Sequence, residues 1–155
     1  MCKLKKTPED RYMEKLIRYE HAAQYYETDM MGVIHHSNYI RWFEEARVDL
    51  LGKLGMPYRD MEDQGLIIPV LSASAEYKSM VRYGDIVYIT PKLTVLTPVR
   101  MTMEYTITDK ISGDLRTIGS TSHAFLNRSL KPIAIKKTHR DIYELLLEAV
   151  GKDLF

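Results

Sequence analysis

One carboxylate and two histidines lie close together in the sequence, on either side of a predicted tight turn. Asp29 follows a predicted strand and precedes Gly32, and His35 and His36 come after the turn. Glycine adopts backbone angles that are closed to other residues, so the chain can turn sharply beside a ligand. A carboxylate in this setting can act as a general base or attack a carbonyl directly. An aspartate before a glycine can also serve only an Asx-turn, and the spacing alone leaves both interpretations open.

An apolar helix is predicted to begin directly after the two histidines and to extend to about Leu54. Ser37 or Asn38 can cap its start, which leaves backbone N–H groups of the first turn without partners. Those donors, together with the positive end of the helix dipole, suit an oxygen atom that gains negative charge. A carbonyl polarised there, with a carboxylate nearby, provides the minimum for hydrolysing an ester or thioester. Most of the helix circumference is apolar, which predicts burial on nearly all sides.

The remaining segments predict a sheet and a second helix. Strands are expected at 16–26, 66–77, 86–90, 101–108, 115–127 and 133–136, and a C-terminal helix at 140–154. Pro91 indicates a bulge or an edge position, because proline cannot donate to a strand ladder. One helix followed by strands in hairpin order predicts an α+β fold, with the sheet wrapped around that helix. Such a sheet leaves open edges, and pairing with a second copy would protect them, so we expect a dimer at least.

Length and composition limit the class of protein. The chain has 155 residues, which suits a single domain at 16–155 preceded by an N-terminal arm at 1–15. A formal charge of +1 provides no overall field toward nucleic acid or an acidic membrane, and neither is expected as a partner. Cys2 is the one cysteine, so an intrachain disulfide is impossible. With no apolar run of about 18 residues and no signal-peptide pattern, we expect a cytoplasmic protein.

The segment 26–39 resembles the active-site signature of the 4-hydroxybenzoyl-CoA thioesterase family. It is especially similar to the bacterial branch of acyl-CoA thioesterases associated with the tol-pal system. The pattern is Thr-Asp, two residues, Gly-Val-Val, one residue, His, one residue and Asn-Tyr. Every position is met here, with Ile34 in place of the second Val. Further similar segments lie at 41–47, 82–85 and 123–127, so the likeness covers about residues 17–140.

The resemblance implies a hot-dog fold, in which a curved antiparallel sheet of about five strands wraps around one long central helix. It also implies a homodimer or homotetramer. Asp29 would be the nucleophile or general base, the backbone N–H of His36 would polarise the thioester carbonyl, and Gly32 would permit the turn. Eight further residues are expected to contact substrate, the three arginines through the phosphates of coenzyme A: Thr28, His35, Asn38, Tyr39, Trp42, Arg82, Arg100 and Arg128.

Three departures from the family pattern lie beside the predicted site. His35 stands where relatives frequently have Tyr or Phe. Glu27 stands where an aspartate is common, which is a small change. Met30 and Met31 replace smaller residues and would enlarge and soften the wall beside the reacting carbon, which affects substrate choice.

The predicted activity is hydrolysis of an acyl-CoA thioester, or of an acyl carrier protein thioester, with no metal or other cofactor. The adjacent histidines point in different directions and lack a third ligand at metal-site spacing. Two alternatives stay open. One is a hot-dog hydratase or dehydratase that pairs His36 with Glu44, and the other is a non-catalytic acyl-CoA-binding subunit.

Overall fold

The computed structural model describes residues 15–155, so nearly all of the predicted N-terminal arm lies outside the described range. Five strands form one sheet in the order β1-β3-β4-β5-β2, and every neighbouring pair is antiparallel. The strands are β1 (Tyr19–Ala22), β2 (Val70–Tyr77), β3 (Ile86–Leu96), β4 (Arg100–Asp109) and β5 (Leu115–Ala124). The predicted α+β class and the sheet of about five strands are confirmed.

One long helix packs on this sheet, and shorter helices cover its ends. The helices are α1 (Ser37–Lys53), α2 (Tyr58–Asp63), α3 (Ile135–Thr138) and α4 (Arg140–Ala149), and a short 3₁₀ helix spans Tyr25–Glu27. The predicted central and C-terminal helices are therefore confirmed, although α4 ends five residues earlier than expected. None of the helices within residues 15–155 has the length and apolar character needed to cross a membrane.

Alternate residues of the inner strands point toward α1 and form the core with it. Side chains in β3 and β4 show this period of two, as expected for a sheet with one covered face. Phe43 of α1 stacks on Tyr105 of β4 with ring centroids 4.5 Å apart. The buried residues of these strands that line the inner face are Val87, Ile89, Leu93, Met101, Met103, Tyr105 and Ile107.

The prediction that α1 is buried on nearly all sides is wrong for the single chain. One face is buried against the sheet, but Arg41, Glu44 and Glu45 are exposed on the other side. Val48, an apolar residue counted toward the prediction, is 38% exposed on this same side. A single sheet layer covers only one side of a helix, so an apolar residue on the far side stays at the surface.

Pro91 lies in an interior strand but, among the strands of the described residues, it has a neighbour on one side only. Strand β1 starts at Tyr19, which pairs with Ile89, so it does not reach the proline. On the other side Pro91 pairs with Tyr105 of β4. Pro91 therefore lies beyond the end of the β1 ladder, although β3 itself is not an edge strand of the sheet.

Two predicted strands are shorter than expected or absent. The segment 16–26 forms only the four residues of β1 before the 3₁₀ helix begins. The segment 133–136 is not a strand, since α3 starts at Ile135 and the backbone N–H of Ile135 donates to the carbonyl of Pro98 at 2.8 Å. A short apolar run has no period that separates strand from helix, and here Ile135 is fully buried in the core at the first residue of α3.

Candidate active site

A tight hairpin carries the candidate catalytic carboxylate. Thr28 pairs with Ile34 across it, and the backbone N–H of Asp29 donates to the carbonyl of Val33 at 2.9 Å. Gly32 has φ +77°, the left-handed conformation predicted for it. The hairpin is tied to the rest of the molecule because Ile34 donates its N–H to a carbonyl in the segment that follows β2.

The carboxylate of Asp29 is half-buried and held by its own turn. Its Oδ1 accepts the backbone N–H of Met31 at 2.8 Å, which is the Asx-turn considered for this position. Among residues 15–155 no donor is bound to Oδ2. The Asx-turn and a chemical role are therefore compatible, since one oxygen orients the group and the other stays available.

The start of α1 differs from the prediction, because neither Ser37 nor Asn38 caps it. The ring Nδ1 of His35 accepts the backbone N–H of Ser37 at 3.2 Å and lies 2.8 Å from its hydroxyl. An Nδ1 that accepts requires the neutral tautomer with its proton on Nε2. The side chain of His35 is therefore engaged within the first turn.

His36 combines a helical backbone with an exposed imidazole. Its φ and ψ are −55° and −27°, and its carbonyl accepts the hydroxyl of Tyr77 at 3.0 Å. Within the described range no acceptor takes the backbone N–H of His36. The helix dipole and this free donor together suit a developing negative charge on an oxygen atom.

Glu27 is the residue of the site that sequence reasoning underrated. It is only 5% exposed, and its carboxylate accepts the ring Nε2 of His21 at 2.7 Å, the backbone N–H of Gln24 at 2.9 Å and Nε1 of Trp42 at 2.7 Å. Burial by itself would raise the pKa of this carboxyl, but the three donors outweigh it and hold the pKa below its usual range. In the sequence, the only sign of a role for Glu27 was its position between a predicted strand and the turn, two residues before Asp29.

Four predicted substrate-binding residues are engaged in internal contacts. Thr28 donates its hydroxyl to the carbonyl of Tyr25 at 2.7 Å, and Asn38 is buried and donates to a backbone carbonyl. Tyr39 is buried against Trp42, with ring centroids 5.0 Å apart, and burial raises the pKa of Tyr39. Trp42 is 1% exposed, which argues against direct contact with a substrate.

The three predicted phosphate-binding arginines are not brought together within one chain. Arg82 is exposed. It lies next to the hairpin, because the carbonyl of the preceding residue, Val81, accepts the N–H of Ile34. Arg100 is paired with Ala124, at the far end of β4 and β5. The two ends are separated by roughly 20 Å along the strands.

Arg128, which follows β5, is also at the far end and is engaged there. It donates Nη2 to the carbonyl of Asp63 at 2.7 Å. Of these three arginines, only Arg82 lies next to the hairpin that carries Asp29. Within residues 15–155 no three His, Cys, Asp or Glu side chains are grouped in a way that could hold a metal ion.

Exposed apolar side chains surround the hairpin. Tyr25 and Tyr83 meet edge-on with centroids 5.8 Å apart, and both are more than 60% exposed. Tyr26, Met30 and Met31 on the same segment are at least 74% exposed. This group, the Tyr–Met surface, is a place where an apolar molecule can be bound.

Comparison with known proteins defines the class. A family model described as the thioesterase-like superfamily matches residues 24–140, well over half of the chain. The chain belongs to this superfamily, and the predicted hot-dog fold and thioester hydrolase class are confirmed.

Individual relatives add detail. A solved structure titled as the DHNA-CoA thioesterase of Staphylococcus aureus is 37% identical with a TM-score of 0.80, over 84% of this chain and 87% of that one. Bacillus subtilis YneP, provisionally named as an acyl-CoA thioesterase, is 32% identical over 79% of this chain and 88% of its own length. The 1,4-dihydroxy-2-naphthoyl-CoA hydrolase of Thermosynechococcus vestitus is 29% identical over 70% of this chain and 74% of its own.

Proposed function

We propose that this protein is an acyl-CoA thioesterase that converts an acyl-CoA thioester and water to a carboxylic acid and free coenzyme A. The observation that carries the proposal is the arrangement of Asp29 and His36. Among the contacts of residues 15–155, the carboxylate keeps one oxygen without a donor, and its hairpin leads directly into a helix start whose N–H has no acceptor. These are the two groups that thioester hydrolysis requires, a base or nucleophile and an oxyanion donor.

The reaction can proceed by either of two routes. In the first, Asp29 takes a proton from water as the water oxygen attacks the carbonyl carbon, and the C–S bond then breaks with protonation of the thiolate. In the second, Asp29 attacks the carbonyl carbon and expels the thiolate, and water hydrolyses the resulting anhydride. In both routes the backbone N–H of His36 stabilises the carbonyl oxygen as its negative charge grows.

An aromatic acyl group is the substrate class that we propose first. Two relatives carry names that refer to 1,4-dihydroxy-2-naphthoyl-CoA or its abbreviation, an aromatic acyl thioester. The exposed Tyr–Met surface beside Asp29 suits a flat apolar ring. Membership of the tol-pal-associated branch, an acyl carrier protein substrate, a homodimeric or homotetrameric assembly and a cytoplasmic location stay predictions.

The hydratase alternative requires His36 to act with Glu44, and the helix separates these residues. Eight positions along α1 correspond to about 12 Å of rise. Glu44 is also exposed and lies 3.9 Å from the guanidinium of Arg47. The arrangement therefore favours hydrolysis over hydration.

Thiol release from a panel of aromatic and aliphatic acyl-CoAs tests the proposal, with wild type beside Asp29→Asn. Asparagine keeps the size and the Asx-turn acceptor but cannot serve as a base, so we expect a loss of about 100-fold or more in kcat. Asp114→Asn, an exposed aspartate of the β4–β5 hairpin, is the matched control and should keep wild-type activity.

Three outcomes would contradict the proposal. Equal activity of wild type and Asp29→Asn on every substrate would remove the aspartate from the mechanism. Hydration of an enoyl-CoA without thiol release would favour the hydratase. Tight acyl-CoA binding with no turnover would favour a binding subunit.

A further inference from the structure

Glu27 connects three segments of the candidate site through its side chain. The carboxylate accepts hydrogen bonds from His21 on β1, from the backbone of Gln24 and from Trp42 on α1. A carboxylate only accepts hydrogen bonds, and here three donors from three different segments converge on it. The strand, the 3₁₀ helix and the central helix are therefore joined at one buried charge.

The backbone carbonyl of Glu27 makes two more contacts, both with the start of α1. It accepts the N–H of His35 at 2.8 Å and the side-chain amide of Asn38 at 2.9 Å. These partners flank His36, the candidate oxyanion donor. Asp29 comes two residues after Glu27, so Glu27 adjoins both reacting groups.

We propose that Glu27 is a positioning residue, which holds the Asp29 hairpin and the His36 N–H in the relative arrangement that thioester hydrolysis requires. The inference rests on the proposed function. Burying a carboxylate is costly, and an apolar side chain of similar volume could fill the same space. A charge that is kept there and fully hydrogen-bonded defines one geometry, because each donor must reach a specified oxygen.

Other groups support the same network. The second ring nitrogen of His21, Nδ1, lies 3.4 Å from a carboxylate oxygen of Glu45, and Glu45 also accepts the hydroxyl of Tyr19 at 2.9 Å. The ring of His21 lies against Trp42 with centroids 4.6 Å apart. The histidine is thereby fixed from both sides, and it can present Nε2 to Glu27 in only one orientation.

The substitution that tests the proposal is Glu27→Gln. Glutamine has the same length, but its amide group must place an NH₂ where either Trp42 or Gln24 donates. One donor then faces another donor, and the network cannot close. Displacement of the reacting groups by about 1 Å is expected to lower kcat about 100-fold, with a much smaller effect on KM.

Two readouts do not depend on turnover. Trp42 is the only tryptophan in the chain, so its fluorescence reports loss of the bond to Glu27. In amide hydrogen exchange, we expect the N–H groups of Met31 and His35 to exchange at least tenfold faster in Glu27→Gln, since their partners belong to the displaced segment.

Two control variants separate positioning from general destabilisation. Leu146→Ala removes a buried side chain from α4, far from the hairpin, and should lower the melting temperature while keeping kcat. Glu20→Gln removes an exposed β1 carboxylate that pairs with Lys110. This variant should keep both the melting temperature and the kcat of wild type.

The proposal is overturned if Glu27→Gln keeps wild-type kcat, whatever its melting temperature. It is also overturned if the exchange rates of the Met31 and His35 N–H groups are unchanged. An inactive wild type would instead refute the proposed function. In that event the exchange and fluorescence results alone decide whether Glu27 holds the hairpin.

Discussion

At the scale of single residues, a second buried polar network lies inside the sheet. The ring Nε2 of His123 lies 2.7 Å from the hydroxyl of Thr121, which in turn lies 2.7 Å from the hydroxyl of Tyr105. Arg47 of α1 is 3% exposed and donates to the same tyrosine at 3.4 Å. His123 therefore shares its surroundings with a buried positive charge, and a structural role explains it better than a chemical one.

This environment predicts a loss of stability in mild acid. Burial, with a smaller effect of Arg47, lowers the pKa of His123 from 6.5 to about 4. The unfolded chain therefore takes up a proton before the folded protein does. The contribution of neutral His123 to the free energy of unfolding is complete above pH 6.5. It is lost as the pH falls from there through about 4, and the total loss is ~3 kcal/mol. Urea unfolding between pH 7 and 4 measures this loss. In His123→Gln, the free energy of unfolding should depend less on pH over the same range.

The matched control for that experiment is His139→Gln, which removes a histidine at the start of α4 instead of one inside the sheet. Its pH dependence should follow wild type. The same pH dependence in wild type and in His123→Gln would refute the assignment of the effect to His123.

At the scale of elements, α1 approaches the sheet closely at Gly119 of β5. A Cβ atom at this position would overlap the ring of Phe43 and the carbonyl oxygen of Ser74 on β2. The absence of a side chain lets the helix lie directly on the strand, with Phe43 stacked on Tyr105. The separation between sheet and helix, and with it the position of the helix start, depends on this contact.

Gly119→Ala should therefore destabilise the protein by about 1–3 kcal/mol, because one of the overlapping atoms belongs to the backbone and cannot rotate away. Gly52→Ala, near the end of α1, is the matched control. A Cβ there meets no atom within 4 Å, so we expect no loss, or a gain of up to about 1 kcal/mol from helix propensity. Denaturant unfolding of both variants provides the comparison. Equal stability of the two would contradict the proposed packing.

At the scale of the whole molecule, the two edges of the sheet differ. Strand β1 has four residues, and its Glu20 pairs with Lys110, which are features that discourage pairing with another chain. Strand β2 has eight residues and is exposed along most of its length, including Val70 and Leu71, which are 48% and 50% exposed. If the protein forms the expected dimer, β2 is the edge strand through which the two copies would pair.

Leu71→Lys should weaken such a dimer at least tenfold, because it places a charge on the pairing edge. Ile111→Lys changes an even more exposed apolar residue, 92% exposed in the β4–β5 hairpin, and should leave association unchanged. Sedimentation of wild type and both variants over a concentration series measures the effect. A monomeric wild type, or equal dissociation in both variants, would rule out β2 as the interface.

The sequence by itself determined most of the elements, the class of protein and the residues of the hairpin. Gly32, the run of strands and the apolar character of α1 depend on backbone preferences and on periods that act over a few neighbouring residues. The resemblance that surrounds Asp29 lies in one continuous segment, so no tertiary contact was needed to see it.

Only the tertiary structure decided which side chains surround the site. The partners of Glu27 come from β1, the 3₁₀ helix and α1, up to 15 residues away, and no local pattern predicts that they meet. The same holds for Trp42, which is turned inward to that carboxylate, and for Arg100, which the strand register carries to the far end of the sheet. Burial and register are set by the packing of distant segments, and that packing is not encoded in any one of them.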